Sequence, residues 1–187
     1  MKAGILGVVI GGILATGYWM WFGPAAHTED MYQADMESVQ HIEQLVRDHA
    51  RAWETGDEAL FLSTIHEDII FAYPGRRLTY DELLEDFRFY QDAFASTTIY
   101  IHDIVVRGDT VAVQWQFAAT DTSDGKRGVA SDAIIGKIKD GKIISWKEYL
   151  DGRVSRMQKK DALPLEEGEE PFPSPIGSLR NFCEITK

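Results

Sequence analysis

The pattern of apolar and polar positions changes character three times along this chain. From Ala3 to Phe22 it does not alternate at all: AGILGVVIGGILATGYWMWF carries no charged side chain. A bilayer core needs about 20 apolar helical residues, so one membrane-spanning helix is expected within residues 1–24. From Met36 to Thr55 the period is helical, with Val39, Ile42, Val46, His49 or Ala50, and Trp53 on one face. Gly56-Asp57 stops that helix, and Asp57 can cap a short second one over Glu58–Ile65. Asp68–Tyr73 reads as a strand closed by Pro74-Gly75. Thr79-Tyr-Asp-Glu82 is a capping-box pattern that opens a third helix, running to about Phe94.

Beyond Ala95 the period becomes two. Strands are predicted over Thr97–Val106, Thr110–Thr120, Val129–Lys139 and Lys142–Leu150, with turns at Gly108-Asp109, Asp124-Gly125 and Asp140-Gly141. Val111, Val113, Trp115 and Phe117 share one face of the second of these, and Gln114 and Gln116 the other. Helices followed by an antiparallel meander predict an α+β domain with helices on one sheet face. The divisions are an anchor at 1–24, a polar linker at 25–36, the domain at 37–158 and a Pro/Glu-rich extended tail at 159–187.

Charge sharpens the picture at both ends. Lys2 alone precedes the apolar run, and no Lys or Arg follows until Arg47. Positive flanks stay inside, which places the N-terminus in the cytoplasm. The domain then lies on the periplasmic or extracellular side of an inner or cytoplasmic membrane. A cleaved signal peptide is the rival, with cut sites near Ala15-Thr16-Gly17 or Ala25-Ala26. Gly7 and Gly11 have the small-xxx-small spacing that lets two membrane helices pack. Four of the six prolines fall in the tail, among Phe172, Ile176, Leu179 and Phe182. Prolines restrict the backbone in advance of binding, so a docking arm is expected there, against other membrane-complex subunits or a second copy of the chain.

The net charge of −11 argues against nucleic acid. One cysteine, Cys183, gives no disulfide framework. His41, His49 and His102 make no dense ligand set, so no metal and no cofactor is expected. Ser63, Ser131 and Ser155 lack evident His–Asp partners.

Ala52-Trp-Glu-Thr-Gly56-Asp57, His66-Glu-Asp68, Tyr73-Pro-Gly75 and Lys139-Asp-Gly-Lys-Ile-Ile-Ser-Trp146-Lys-Glu-Tyr149-Leu-Asp151 together resemble the SnoaL-like branch of the nuclear-transport-factor-2-like superfamily. The resemblance covers about residues 38–157. It implies a cone: a strongly bent antiparallel sheet around a pocket, closed by three helices. The superfamily includes ketosteroid isomerases, epoxide hydrolases, polyketide cyclases and domains without chemistry, so fold does not give function. The isomerases' oxyanion Tyr falls here on His49, their general-base Asp on Tyr73, and their second Asp on Ala133, beside Asp132. The epoxide hydrolases' Arg-x-Asp falls on Asp132 and Ile134, with Asp151 or Glu148 available for their last acid.

With those sets broken, the expected function is a non-catalytic accessory or binding subunit of a membrane complex. The alternative is a membrane-tethered isomerase, cyclase or hydratase acting on a small apolar molecule, with His49, Tyr73, Asp132 and Glu148 as candidate acid–base groups. His49, Trp53, Tyr73, Trp115, Trp146 and Glu148 are the expected pocket residues. A three-residue turn at Lys139–Gly141 would set Glu148 opposite Asp132, and a two-residue turn would set Tyr149 there. An enclosed cavity where His49 and a carboxylate converge would favour the enzyme, and a filled cone the accessory subunit.

Overall fold

A computed structural model describes residues 26–150, 152–162 and 170–171. The predicted span at 3–22, with Gly7 and Gly11, lies outside them, as do Phe172, Ile176, Leu179 and Phe182. Among the described residues no helix is long and apolar enough to cross a membrane. The chain divides into two units, residues 1–36 and 37–187. Of the first, helical backbone is described from Ala26 onward.

The elements are α1 (Ala26–Thr55), α2 (Glu58–Thr64), β1 (Ile65–Tyr73), β2 (Arg76–Leu78), α3 (Tyr80–Ala93), β3 (Phe94–Arg107), β4 (Thr110–Asp121), β5 (Arg127–Lys139), β6 (Lys142–Leu150) and α4 (Gly152–Lys159). The local signals act as expected. The Asp57 carboxylate accepts from the Leu60 N–H at 2.9 Å and starts α2. At α3 the Glu82 carboxylate accepts from both the Thr79 N–H and its hydroxyl at 2.8 Å. The segment expected as a polar linker is helical from Ala26; polar residues can extend a helix that an apolar face has already nucleated.

Six strands form one strongly curved sheet in the order β2-β1-β6-β5-β4-β3. Two features correct the expected cone. The sheet is mixed, because β1 pairs parallel to β6; the long connection through α3 frees β1 from the antiparallel pairing that a hairpin imposes. A fourth helix, α4, follows the meander and packs on β5, where the Gln158 side chain accepts from the Val129 N–H at 3.0 Å. Register shifts in β3, between Ala95 and Thr98 and between Ile101 and Asp103, bend the sheet.

The core fills the inner face of the sheet with Phe61, Phe87, Ile134, Ile143 and Trp146, all essentially sealed from solvent. Gly136 lies opposite Trp146. A Cβ there would meet Val111 Cγ1 at 2.9 Å and Trp146 Cε3 at 3.1 Å, and neither buried side chain has room to withdraw. Gly136→Ala is therefore expected to cost about 1–3 kcal/mol, the range for an overpacked core. Urea unfolding would measure it, and an unchanged midpoint would show that Trp146 can shift freely.

Candidate functional site

The turn between β5 and β6 sets the site. Asp140 and Gly141 both adopt positive φ, 51° and 72°, and Lys139 pairs with Lys142, as in a two-residue type I′ hairpin. The ladder then skips Ile144: Ile138 pairs with Ile143, but Lys137 pairs with Ser145. This bulge moves the register by one residue, so Asp132 faces Leu150 and Ile134 faces Glu148. Neither turn length considered from the sequence gives that register. Its effect is to bring Asp132 and Glu148 onto the same, inner face as diagonal neighbours. The exposed Ala133 points outward.

That face forms one wall of a cavity of about 310 Å³. Trp115, Phe117 and Leu150 continue the wall, while Trp53 of α1 and Phe71 and Tyr73 of β1 close it from one side. Asp86 and Tyr90 of α3, with Phe94 and Ile99 of β3, close it from the other. Trp53 packs edge-on to Phe87 and Tyr90, with centroids at 4.9 and 5.4 Å. A second cavity of about 230 Å³ shares Phe94, Phe117 and Ala130 with the first, and has Lys126, Arg127, Arg156 and Lys159 on its rim.

The two acids are unequally held. The Asp132 carboxylate accepts from the Tyr149 N–H at 2.9 Å and from the Trp115 side chain. Glu148 accepts from the Trp146 indole at 3.2 Å. It lines the cavity and is half-buried. Burial pushes the Asp132 carboxyl up to about 7. Burial first, then the neighbouring Asp132, raises the Glu148 carboxyl well above its usual range. At the opposite lip the Tyr73 hydroxyl donates to Asp86 at 3.3 Å, and Arg76 pairs with Asp86 at 2.8 Å. Burial, then Asp86, raises the Tyr73 phenol, and burial pushes Tyr90 up to about 12. Both phenols stay neutral donors at ordinary pH.

Of the residues expected in the pocket, Trp53, Tyr73, Trp115 and Glu148 line it, with Asp132 beside them. His49 and Trp146 do not. Both are fully buried one layer behind, their rings at 5.2 Å. The His49 Nε2 accepts from the Trp53 indole at 3.2 Å, and its Nδ1 meets the Thr64 hydroxyl at 2.9 Å. Burial pushes this imidazole down to about 3, so it stays neutral and its nitrogens are occupied. The sequence reading missed Asp86 and Tyr90. They sit four apart on α3, beside buried Leu83 and Phe87, and an acid inside that apolar stripe was the available signal. Among the described residues no group of three His, Cys, Asp or Glu side chains could hold a metal ion.

A family model for the SnoaL-like domain matches residues 46–146. Among curated proteins none matches the sequence. Solved structures do. AclR from Streptomyces galilaeus, described as a putative hydroxylase, is 17% identical; the match covers 65% of this chain and 96% of that one, with a TM-score of 0.57. IdmH from Streptomyces antibioticus, a putative polyketide cyclase, is 20% identical over 63% of this chain and 97% of its own, with a TM-score of 0.56. A structure described as an M. tuberculosis LEH-like epoxide hydrolase is 18% identical over 63% of this chain and 87% of its own, with a TM-score of 0.56. At these identities the likeness carries the fold, and the three differ in the activity their descriptions give.

Proposed function

This chain belongs to the SnoaL-like domain family, and from that premise we propose that its cone performs acid–base chemistry on a small, largely apolar molecule through Asp132 and Glu148. One observation carries the reading: two carboxyl groups share a wall of an aromatic cavity, and no basic side chain lines that cavity. Two such groups cannot both ionise in a low dielectric, so at neutral pH they hold one proton between them. Titratable partners forced apart in this way supply an acid and a base at once.

Asp132, with three donors on its oxygens, ionises first and acts as the base. Glu148 keeps the proton and acts as the acid. Asp132 removes a proton from carbon while Glu148 delivers one to the ligand's oxygen, and transfer between the two resets the pair. Isomerisation and cyclisation fit this cycle, hydration fits it run in reverse, and the cavity lies at the small end of the range for ligand sites, about 300–1,000 Å³.

The accessory role expected from the sequence rested on the broken catalytic sets of relatives, on the Gly7 and Gly11 spacing and on the apolar tail. The carboxyl pair in the cavity bears on the first of these. We propose further that residues 3–22 tether this site to a membrane, with the domain on the periplasmic or extracellular side; the lone Lys2 and the acidic flank support this. The apolar residues of the tail beyond Pro171 are proposed to dock on a partner subunit or a second copy.

Exchange of carbon-bound hydrogen tests the chemistry. The chain would be incubated in heavy water with 2-cyclohexenone, acetophenone or tropinone, and deuterium uptake beside the carbonyl followed by NMR. Catalysed exchange of at least one probe is expected, falling about 10²–10⁴-fold in Asp132→Asn, the usual contribution of a positioned base. Equal rates in the wild type, Asp132→Asn and Glu148→Gln would remove the pair from the chemistry.

A further inference from the structure

The charge balance of the cavity identifies the ligand more narrowly, and this step rests on the acid–base reading above. Three carboxyl groups line the cavity: Asp86, Asp132 and Glu148. Asp86 is answered by Arg76, outside the lining, at 2.8 Å. Among the described residues Asp132 and Glu148 are answered by neutral donors, the Tyr149 and Ala133 backbone, the Trp115 side chain and the Trp146 indole. One proton between them therefore leaves one negative charge without a cation.

Among the described residues no other element supplies it. From β1 and α3 the pair faces the neutral phenols of Tyr73 and Tyr90. From α1 it faces Trp53, with neutral His49 behind. Lys147 and Tyr149 lie on the opposite face of β6, one residue out of phase with Glu148. In the adjoining cavity Lys126 pairs with Asp161, Lys159 with Asp121 and Arg127 with Glu170, while Arg156 lies on its exposed rim. A buried anion without a partner is costly.

The remaining lining is the kind that attracts a cation. Trp53, Trp115, Tyr73, Tyr90, Phe71 and Phe117 present aromatic surface around the acids, and ring faces bind organic cations strongly when both are desolvated. We propose that the cavity binds an organic ammonium group, protonated or quaternary, carried on an apolar frame. The cation sits among the rings beside Asp132 and supplies the charge that the protein lacks. Its arrival favours the pair with one proton over the fully protonated pair, so affinity should rise as the pH passes upward through about 7, where burial sets the Asp132 carboxyl.

A matched pair of probes tests this on the full chain. Phenyltrimethylammonium and tert-butylbenzene have the same shape and differ in charge alone. Binding would be followed by quenching of tryptophan emission at pH 6 and pH 8, and proton release by calorimetry in two buffers of different ionisation enthalpy. The cation is expected to bind at least about tenfold more tightly than its neutral twin at pH 8, more weakly at pH 6, and to release protons. Asp132→Asn should abolish the preference while still taking up tert-butylbenzene. Equal or tighter binding of tert-butylbenzene by the wild type would overturn the cation and leave the acid–base pocket standing. If neither probe binds, the cavity is not a ligand site and both readings fall.

Discussion

Asp132→Asn is expected to make the protein more stable at pH 8, and by an amount that disappears toward pH 4. The sign follows from where the proton is held. Burial pushes the Asp132 carboxyl up to about 7, whereas an unfolded Asp titrates near 3.9. Between those values the folded chain binds the proton and the unfolded chain does not. Stability contributed by this group is therefore full below pH 4 and is lost as the pH rises through 7. A shift of about three units corresponds to roughly 4 kcal/mol as an upper bound, and water in the cavity will screen part of it. Asn does not ionise, so it escapes the penalty while its carbonyl can still accept from the Tyr149 N–H. Urea unfolding of both proteins at pH 5 and pH 8 measures the gap, which should widen by roughly 1–3 kcal/mol toward pH 8. A gap that stays constant would mean that Asp132 ionises freely and that no proton is shared with Glu148.

The same residues show how far a sequence can be read. The hairpin at Asp140-Gly141 was legible because few other residues tolerate two successive positive φ angles. The strand alternation around Trp115 and the cap at Thr79 were legible for equally local reasons. The bulge at Ile144 was not. Ile143 and Ile144 are identical neighbours, so the pattern carries no sign of which one faces inward or which the ladder omits. That single unpaired residue decides that Asp132 and Glu148 share a face. Sequence reasoning could name both acids and offer a turn that sets them opposite each other, yet it could not choose that arrangement over its alternative. β2 is three residues long and mostly exposed, too short to show a period, and so Arg76 and its bond to Asp86 were hidden. α4 carries few apolar residues, and polar bonds hold it, among them Gln158 to the Val129 N–H and Lys159 to Asp121.

His49 was the opposite case: its position was readable and its role was not. An apolar-face histidine at a relative's catalytic position invites a catalytic reading. Only the fold shows that Thr64, from the next helix, meets its Nδ1, and that Trp53, one turn on, donates to its Nε2. The Thr64 hydroxyl donates onward to the Phe61 carbonyl at 2.7 Å. Every donor in this chain points the same way, so Nδ1 carries the proton and Nε2 must stay bare. Protonating Nε2 would turn its N–H against the Trp53 indole N–H. Stacked on Phe61 at 5.4 Å and sealed from water, the ring titrates at about 3.

Acid should therefore unfold this protein through His49. An unfolded histidine takes up its proton near 6.5, and the folded one does so only at about 3. In that window the unfolded chain binds more protons, so stability falls as the pH falls. By pH 4 the loss from this ring reaches about 3 kcal/mol, opposite in sign to the contribution of Asp132 over much of the same range. His49→Gln separates the two. At pH 7 it should be less stable by about 1–3 kcal/mol, because a buried hydrogen-bonding partner is lost. Toward pH 4 its deficit should shrink or vanish, since Gln has no proton to take up. The cavity residues keep their own titration, so exchange of carbonyl-adjacent hydrogen should persist in the folded variant. Guanidinium unfolding at pH 4 and pH 7 reads the first part, and the NMR assay reads the second. A deficit that is the same at both pH values would show that His49 is charged in the fold, which would return it to the list of acid–base candidates.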